Sequence, residues 1–513
     1  MLRRELLVGL LMLVSVAVAA AADKPNVIVI YTDDQGFGDA SCLNADSKFQ
    51  TPNLDRLARE GISMTDAHCS DTVCTPSRYG LLTGRYSWRT HLKSGVFGAE
   101  KECLIINGRM TLASLLRDQG YHTAMIGKWH LGMDFPGDRQ SRDWSQPVRD
   151  MPLDKGFDYF WGIPASMNYG VLAWFDGRYA AVPPTQYTQK KPNKIALSDY
   201  RIMPPYESKL EKPGTTNNLG VVKGKLEVAP DFVDAECLTR FTDKAMEWMV
   251  EKSEDARNGK PFFVYLPYTS PHKPVIPIEK FRGKSEAGAY GDFMIETDWH
   301  VGRILDLLDR EKLADNTLVI FTSDNGPETT WKERVKKFGH HSNGIYREGK
   351  RSIYEGGHRV PFFARWPAKI KAGSVCDKPI CQTDVLATLA EIVDVKMPDH
   401  AGEDSVSFYD SLVNPEVSER QLPIIHHSSG GGFAIRQGQW KLVMAHGNRQ
   451  KMELYDVVAD PSEEVNVLAD HPQVAKSLTL RISEIVRNGR TTTGVPQKND
   501  TPWWDSLTWM EPW

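Results

Sequence analysis

The sequence predicts an α/β fold: a large, mostly parallel sheet flanked by helices, then a small C-terminal antiparallel sheet domain with one helix. Three observations predict it. Apolar runs of strand length alternate with helical segments from about residue 25 to residue 395, the pattern of a parallel sheet covered on both faces. Several runs end in chemistry-bearing residues, namely Asp33-Asp34, Lys128, His272 and Asp324-Asn325, and the carboxyl edge of such a sheet is where ligands bind. After about residue 400 the pattern changes to a hairpin and one further helix.

Each element has its own signal. "MLRRELLVGLLMLVSVAVAAAADKPN" opens with Arg3 and Arg4, continues apolar from Leu6 and ends in small residues near Ala22. This is a secretory signal peptide over residues 1–22, too short and alanine-rich for a membrane anchor. "PNVIVIYTDDQG" is a buried strand. "TPNLDRLAREG" is a helix with Thr51 as N-cap, Pro52 at its first position and Gly61 as its stop. "TLASLLRDQGYHTAMIGKWHLG" is a helix, a glycine stop and a strand running to Lys128 and His130. "GKPFFVYLPYTSPHKP" is a strand ending near His272, "GDFMIETDWHVGRILDLLDREK" a long amphipathic helix, and "NTLVIFTSDNG" a strand ending at Asp324 and Asn325. "HRVPFFARWP" and "QTDVLATLAEIVDV" add a strand and a helix. "FAIRQGQWKLVMA" is a hairpin turning at Gln437-Gly438, with a helix near residues 470–488. Residues 180–230, rich in Pro, Lys, Thr and Asn, read as a surface insertion. The division is therefore 1–22 signal peptide, 23–400 catalytic domain and 401–513 smaller C-terminal α+β subdomain.

Composition narrows the function. At 513 residues the chain is long enough for a large domain plus a small one, and a net charge of −4 suggests no nucleic-acid partner. The seven cysteines are an odd number for an exported protein. That flags one thiol with another fate and leaves room for up to three disulfides among the rest.

Cys74 is the thiol that stands out. "DTVCTPSRYGLLTG" puts it in the first turn of a helix, with Arg78 one turn on and on the same face. On an extended segment Lys128 and His130 point the same way, with Trp129 opposite. Asp33, Asp34, Asp324 and Asn325 are hard oxygen donors, suited to Ca²⁺ or Mg²⁺ rather than Zn²⁺. His340-His341 and His426-His427 are left as solvated-loop or substrate-rim residues. The aromatic stretches "WGIPASMNYGVLAWFDGRY" and "TPWWDSLTWMEPW" are packing residues before they are sugar platforms.

"CTPSRYGLLTG" and "GYHTAMIGKWH" resemble the two signatures of the formylglycine-dependent sulfatases, and "DDQGFGD", "SPH", "SDNG" and "GKRSIYEGGHRVP" fit the same family. The resemblance spans residues 25 to about 470. It implies an alkaline-phosphatase-like fold with a mixed sheet. It also implies that a separate formylglycine-generating enzyme converts Cys74 to formylglycine, whose hydrate attacks sulfur. By the same resemblance Arg78 orients the hydrate, and Lys128 binds it and the sulfate. His130 takes a proton late in the reaction, while His272 and Lys350 hold the ester oxygen, with His272 protonating the leaving alcohol. The resemblance also implies calcium, rather than magnesium, on Asp33, Asp34, Asp324, Asn325 and the residue at 74. The expected activity is hydrolysis of sulfate monoesters in the periplasm or outside the cell, on a sulfated carbohydrate like that of bacterial N-acetylgalactosamine-6-sulfatases. The alternatives are a phosphate or phosphonate monoester hydrolase of the same fold and a non-catalytic sulfated-glycan binder.

Overall fold

The computed structural model describes residues 24–138, 142–189, 225–416, 419–449 and 451–510. The expected signal peptide and the middle of the expected insertion lie outside the described residues. The main sheet holds β1 (Asn26–Asp33), β2 (Ile62–Met64), β3 (His122–Lys128), β4 (Tyr159–Ile163), β5 (Phe175–Asp176), β6 (Tyr179–Ala180), β7 (Phe262–Pro271), β8 (Thr317–Ser323), β9 (Phe362–Arg365) and β10 (Ser374–Cys376). Their order is β10-β2-β9-β8-β1-β7-β3-β4-β5-β6.

The central five strands, β8, β1, β7, β3 and β4, are parallel. Antiparallel pairs lie outside them, β9 against β8 and β2 and β5 against β4 and β6. The sheet is therefore mixed. β1 sits in its middle with all eight residues buried, which is why its sequence is an unbroken apolar run rather than an alternating one.

Helices α1 (Pro52–Glu60), α2 (Cys74–Thr83), α3 (Leu112–Asp118), α4 (Cys237–Arg257), α5 (Gly288–Arg310) and α6 (Val385–Ile392) accompany the sheet. α3 is capped locally, with the Ser114 amide donating to Thr111 Oγ1 at 3.0 Å. α1 begins at the expected place by different chemistry. Thr51 Oγ1 is occupied by the Ser41 amide at 2.8 Å. The first amides of α1 instead donate to Asp298 Oδ1 of α5, Asn53 at 3.0 Å and Leu54 at 2.8 Å. A cap supplied by another helix leaves no local sequence signal.

The visible arms of the insertion, Gln186–Gln189 and Lys225–Val228, pair antiparallel, and the second also pairs with Val171–Leu172. Among the described residues no helix is long and apolar enough to cross a membrane. All seven cysteines are unpaired thiols, so none of the three disulfides for which the sequence left room is formed.

A second, antiparallel sheet follows: β11 (Ile424–His427), β12 (Phe433–Gln437), β13 (Trp440–Val443) and β14 (Glu453–Asp456), in that order. Helix α7 (Pro472–Arg487) packs on it through Leu478, Ile482 and Ile485. Gln437 pairs with Trp440, so the hairpin turns at Gly438-Gln439, one residue later than expected, with φ +59° at Gly438.

The two sheets are joined by a buried charge network. Asp66, just past β2, accepts two bonds from Arg436 of β12, at 2.7 and 2.6 Å, and lies 2.7 Å from Arg359. Burial opposes ionisation of Asp66, but Arg359, Arg436 and His68 overcome it and hold the carboxyl well below its usual range. A depressed carboxyl stabilises the fold above the unfolded pKa, near 4, and loses that contribution as pH falls through and below it. Asp66→Asn should cost about 3–5 kcal/mol at pH 7, the loss of one partner from a buried pair. In melting curves from pH 7 to pH 3, its gap to the wild type should narrow below pH 4; a constant gap would rule this account out.

Candidate active site

Cys74 is the first residue of α2, a helix whose ten residues are all buried. Val73 before it is extended, and Gly84 ends the helix in the left-handed conformation at φ +63°. This answers the odd composition of "CTPSRYGLLTG": the helix fills the space under the carboxyl edge of the sheet, so its polar residues are placed for contacts rather than for solvent. Arg78, one turn on and fully buried, donates to Asp324 Oδ2 at 2.8 Å and to the Lys128 carbonyl at 3.2 Å.

The strand ends converge on Cys74. Its Sγ is 3.4 Å from Asp33 Oδ1, the last residue of β1, and 3.7 Å from Lys350 Nζ. Lys128, the last residue of β3, donates to Asp33 Oδ2, and Lys350 donates to Asp34 Oδ1. The turns after β1 and β8 are fastened together: the Asp34 amide donates to Asp324 Oδ1 at 3.2 Å, the Gln35 amide to Ser323 Oγ at 3.0 Å, and Asn325 Nδ2 to Asp34 Oδ1 at 2.8 Å. Gly36 follows because a Cβ there would lie 2.0 Å from the Ser342 carbonyl oxygen. Asp34 and His130 have φ of +69° and +63°, a costly backbone for residues with a Cβ and one that gathers at functional sites.

A cation fits this acid cluster. Asp34 Oδ2 and Asn325 Oδ1 are buried without a hydrogen-bond partner, and ligand atoms of Asp33, Asp34, Cys74 and His272 lie within 4.8 Å of one another. Burial, and then Asp33, push the Asp324 carboxyl up to about 7 despite Arg78 and Lys128. Orphaned oxygens beside crowded carboxylates are what a dication would satisfy. The donors are oxygens apart from Cys74 and His272, as a hard ion requires.

The two histidines differ. His272 follows β7; its Nδ1 lies 2.6 Å from the Lys273 carbonyl oxygen, so Nδ1 carries a hydrogen, and Nε2 faces Asp34 Oδ2 at 3.8 Å. To give up a proton from Nε2 this ring must hold two. His130 donates from Nε2 to the Phe97 carbonyl at 2.8 Å, leaving Nδ1 buried with an open lone pair. The expected alternation of Lys128 and His130 does not hold, because the extended segment ends at Lys128 and the chain turns left-handed at His130.

The pattern of alternating strands and helices thus places Cys74, Arg78, Lys128, His272, Lys350, Asp33, Asp34, Asp324 and Asn325 together, with His130 beside Lys128. The sulfatase family pattern matches residues 25–395, and an N-sulphoglucosamine sulphohydrolase C-terminal pattern matches residues 343–488. The chain belongs to the sulfatase family. It is a sulfuric ester hydrolase. This sulfatase is 34% identical over 490 residues to an N-acetylgalactosamine-6-O-sulfatase of Bacteroides thetaiotaomicron, covering 90% of this chain and 93% of the relative. It is 32% identical to human arylsulfatase A over 88% of this chain and 80% of that one. A solved structure from glycosaminoglycan metabolism by Bacteroides thetaiotaomicron superposes with a TM-score of 0.76 at 31% identity, covering 90% of this chain and 99% of the other. A phosphonate monoester hydrolase of Agrobacterium radiobacter, at 18% identity and TM-score 0.56, shares the fold.

Several residues have other places than expected. His340, His426 and His427 of this sulfatase are buried, and only His341 of those four is exposed. His340 lies 2.7 Å from Asp39 Oδ1 and braces the turn after Asp34. The aromatic stretches do pack as expected: Trp161 and Trp174 stack in the core at 5.2 Å, and Trp504 packs with Trp88 and Phe433 under the second sheet. Sequence reasoning missed the cluster of His68, His358, His426 and Glu355. One chain of its hydrogen bonds runs from His68 Nε2, 2.7 Å from Asp66, through His68 Nδ1 and His358 Nδ1, 2.9 Å apart, to His358 Nε2, 3.0 Å from Lys441. Lys441 already supplies the cation there, and the cluster ties the two sheets together. Only tertiary contact assembles it, so no sequence spacing announces it.

Proposed function

We propose that this sulfatase cleaves the S–O bond of a sulfate monoester on a sulfated carbohydrate, releasing inorganic sulfate and an alcohol. In this reading Cys74 is matured to formylglycine and Ca²⁺ is the metal. The setting of Cys74 carries the reading. It opens a fully buried helix, with Sγ 3.4 Å from Asp33 Oδ1 and 3.7 Å from Lys350 Nζ, among the acids that would hold the ion; burial with Asp324 and Asp33 also pushes its thiol up, the reverse of what a thiolate nucleophile needs. Oxygen takes the place of Sγ in formylglycine, and the hydrated aldehyde supplies one hydroxyl to attack sulfur and a second through which sulfate is later expelled. Asp33, Asp34, Asp324, Asn325 and the matured side chain would hold the ion, which when bound polarises a sulfate oxygen and favours ionisation of a nearby hydroxyl. Calcium is preferred to magnesium because a nearly all-protein oxygen set suits it better.

Around that centre Arg78 orients the residue at 74, and Lys128 and Lys350 neutralise the sulfate oxygens. His130, open at Nδ1, takes up a proton, and His272 serves the ester oxygen. The N-acetylgalactosamine-6-O-sulfatase relative favours a sulfated amino sugar. Export by the 1–22 leader and a division near residue 400, before the second sheet starts at Ile424, belong to the same proposal. The test is sulfate release from defined sulfated sugars beside matched phosphate esters, with mass spectrometry of the peptide carrying residue 74. An aldehyde there and sulfate release support the reading; faster release of phosphate would favour the phosphatase alternative.

The role of His272 is open to a contrast. A sugar alkoxide leaves poorly without a proton, whereas nitrophenolate leaves well, and general acid catalysis contributes roughly 10²–10⁴-fold where it is needed. As acid, His272→Ala should lose about that much kcat/KM on a sulfated sugar and far less on nitrophenyl sulfate. His130→Ala should show no such contrast. Equal losses for His272→Ala on both substrates would make it a sulfate ligand and Lys350 the next candidate acid.

A further inference from the structure

One charged group at the mouth of the site has no part in the chemistry above. Arg351 follows Lys350 directly, and its guanidinium forks onto Glu328, NH1 to Oε1 at 2.5 Å and NH2 to Oε2 at 3.0 Å. Lys273, next to His272, donates to Glu328 Oε2 at 3.2 Å. Two cations thus share one carboxylate, leaving one positive charge in excess at the rim. The burial is graded: the side chain of Lys350 is 3% exposed, that of Lys273 17% and that of Arg351 44%.

Arg351 is the outward end of the group. Its fork uses two of five N–H donors, and the others are open. Its backbone is left-handed at φ +77°, anchored by its amide donating to the Thr72 carbonyl at 2.9 Å, two residues before Cys74. A strained residue with a braced, half-exposed guanidinium is placed rather than merely tolerated. Lys350, the residue before it, reaches to 3.7 Å from Cys74 Sγ, and the Thr72 carbonyl that holds the Arg351 amide is two residues from Cys74. Arg351 therefore borders the space a substrate fills beyond its reacting sulfate. A planar guanidinium held at one edge matches a planar or tripodal oxyanion at the other.

We propose that Arg351, braced by Glu328, binds a second anionic group of the substrate, so that this enzyme prefers sulfated sugars carrying a carboxylate or a second sulfate beside the ester it cleaves. The proposal rests on the sulfatase reading and sharpens its substrate class. Three substrates on one scaffold test it: N-acetylgalactosamine 6-sulfate, the same sugar with a second sulfate, and the same sugar linked to a uronic acid. Both kcat/KM and the inhibition constant against nitrophenyl sulfate turnover are read. The wild type should favour one or both dianionic sugars by about 10–100-fold, the scale of a charge-assisted hydrogen bond. Which one it favours tells sulfate from carboxylate.

Arg351→Ala should remove most of that preference, and Arg351→Lys, which keeps charge without the fork, should restore part of it. Arg351→Gly relieves the left-handed backbone and serves where the alanine variant fails to fold. A wild type without preference in either readout overturns the proposal, as do equal losses on all three sugars in the Arg351 variants. Failure to release sulfate from any of the three sugars would instead overturn the sulfated-carbohydrate reading on which the proposal rests.

Discussion

Cys74→Ala should abolish turnover on every sulfate ester while the protein stays folded. Alanine fits the start of a helix and keeps the buried apolar volume near that of the thiol, so the cost in stability is small. Removal of the attacking group is a different matter, since neighbouring residues bind and polarise but offer no replacement nucleophile. Cys74→Ser separates two ideas that alanine does not. Serine keeps an oxygen at the site but has one hydroxyl where a hydrated aldehyde has two, so it can accept the sulfuryl group and lacks the second oxygen through which it is released. Burst-like release of one equivalent of alcohol followed by arrest is expected for serine, and no release for alanine. Circular dichroism and melting temperature check the fold of both. Full activity in Cys74→Ala, or an unmodified thiol at position 74 in active protein, would end the formylglycine proposal.

The legibility of this site in the sequence follows from how each residue is placed. Asp33, Lys128, Asp324 and Asn325 were readable because parallel strands deliver their last residues to one edge, and an apolar run followed by acids marks that edge. Cys74 was readable from its helix start. The geometry of His130 was not, since both its left-handed backbone and its side-chain bond to the Phe97 carbonyl of a distant loop are set by tertiary contact. The cap on α1 was misassigned for a similar reason: Thr51 looked like a local cap, yet Asp298 provides it from α5. The buried histidines at 340 and 427 share this origin, while His426 stacks on His358 at 3.8 Å. His-His pairs look hydrophilic in isolation, but carboxylates at Asp39 and Asp71 accept His340 and His427 inside the protein. The extent of the main sheet was understated because edge strands of two to four residues carry too little pattern to detect.

Removing the metal should silence the wild type, and calcium should restore it. The physical reason lies in the balance of charge around Asp34. Asp33 is met by Lys128 and Arg78, and Asp324 by Arg78, whereas Asp34 Oδ2 and Asn325 Oδ1 have no protein donor. Those atoms point to the ion as the missing partner. Asp324→Asn preserves shape and keeps a group for Arg78 to meet, but removes one negative charge from the ligand set. It should weaken calcium binding and lose most activity at ordinary calcium concentrations. A second readout does not depend on turnover: ligand that binds only the folded state stabilises it by RT ln(1 + [L]/Kd), about 2.7 kcal/mol at a hundredfold excess over Kd. Calcium should therefore raise the melting temperature of the chelated wild type and raise that of Asp324→Asn much less. Magnesium should act more weakly in both assays, because it gives up water reluctantly. A purified protein that holds zinc, and that responds in activity and melting temperature to zinc alone, would replace calcium with a phosphatase-like metal and turn the choice of ester toward phosphate.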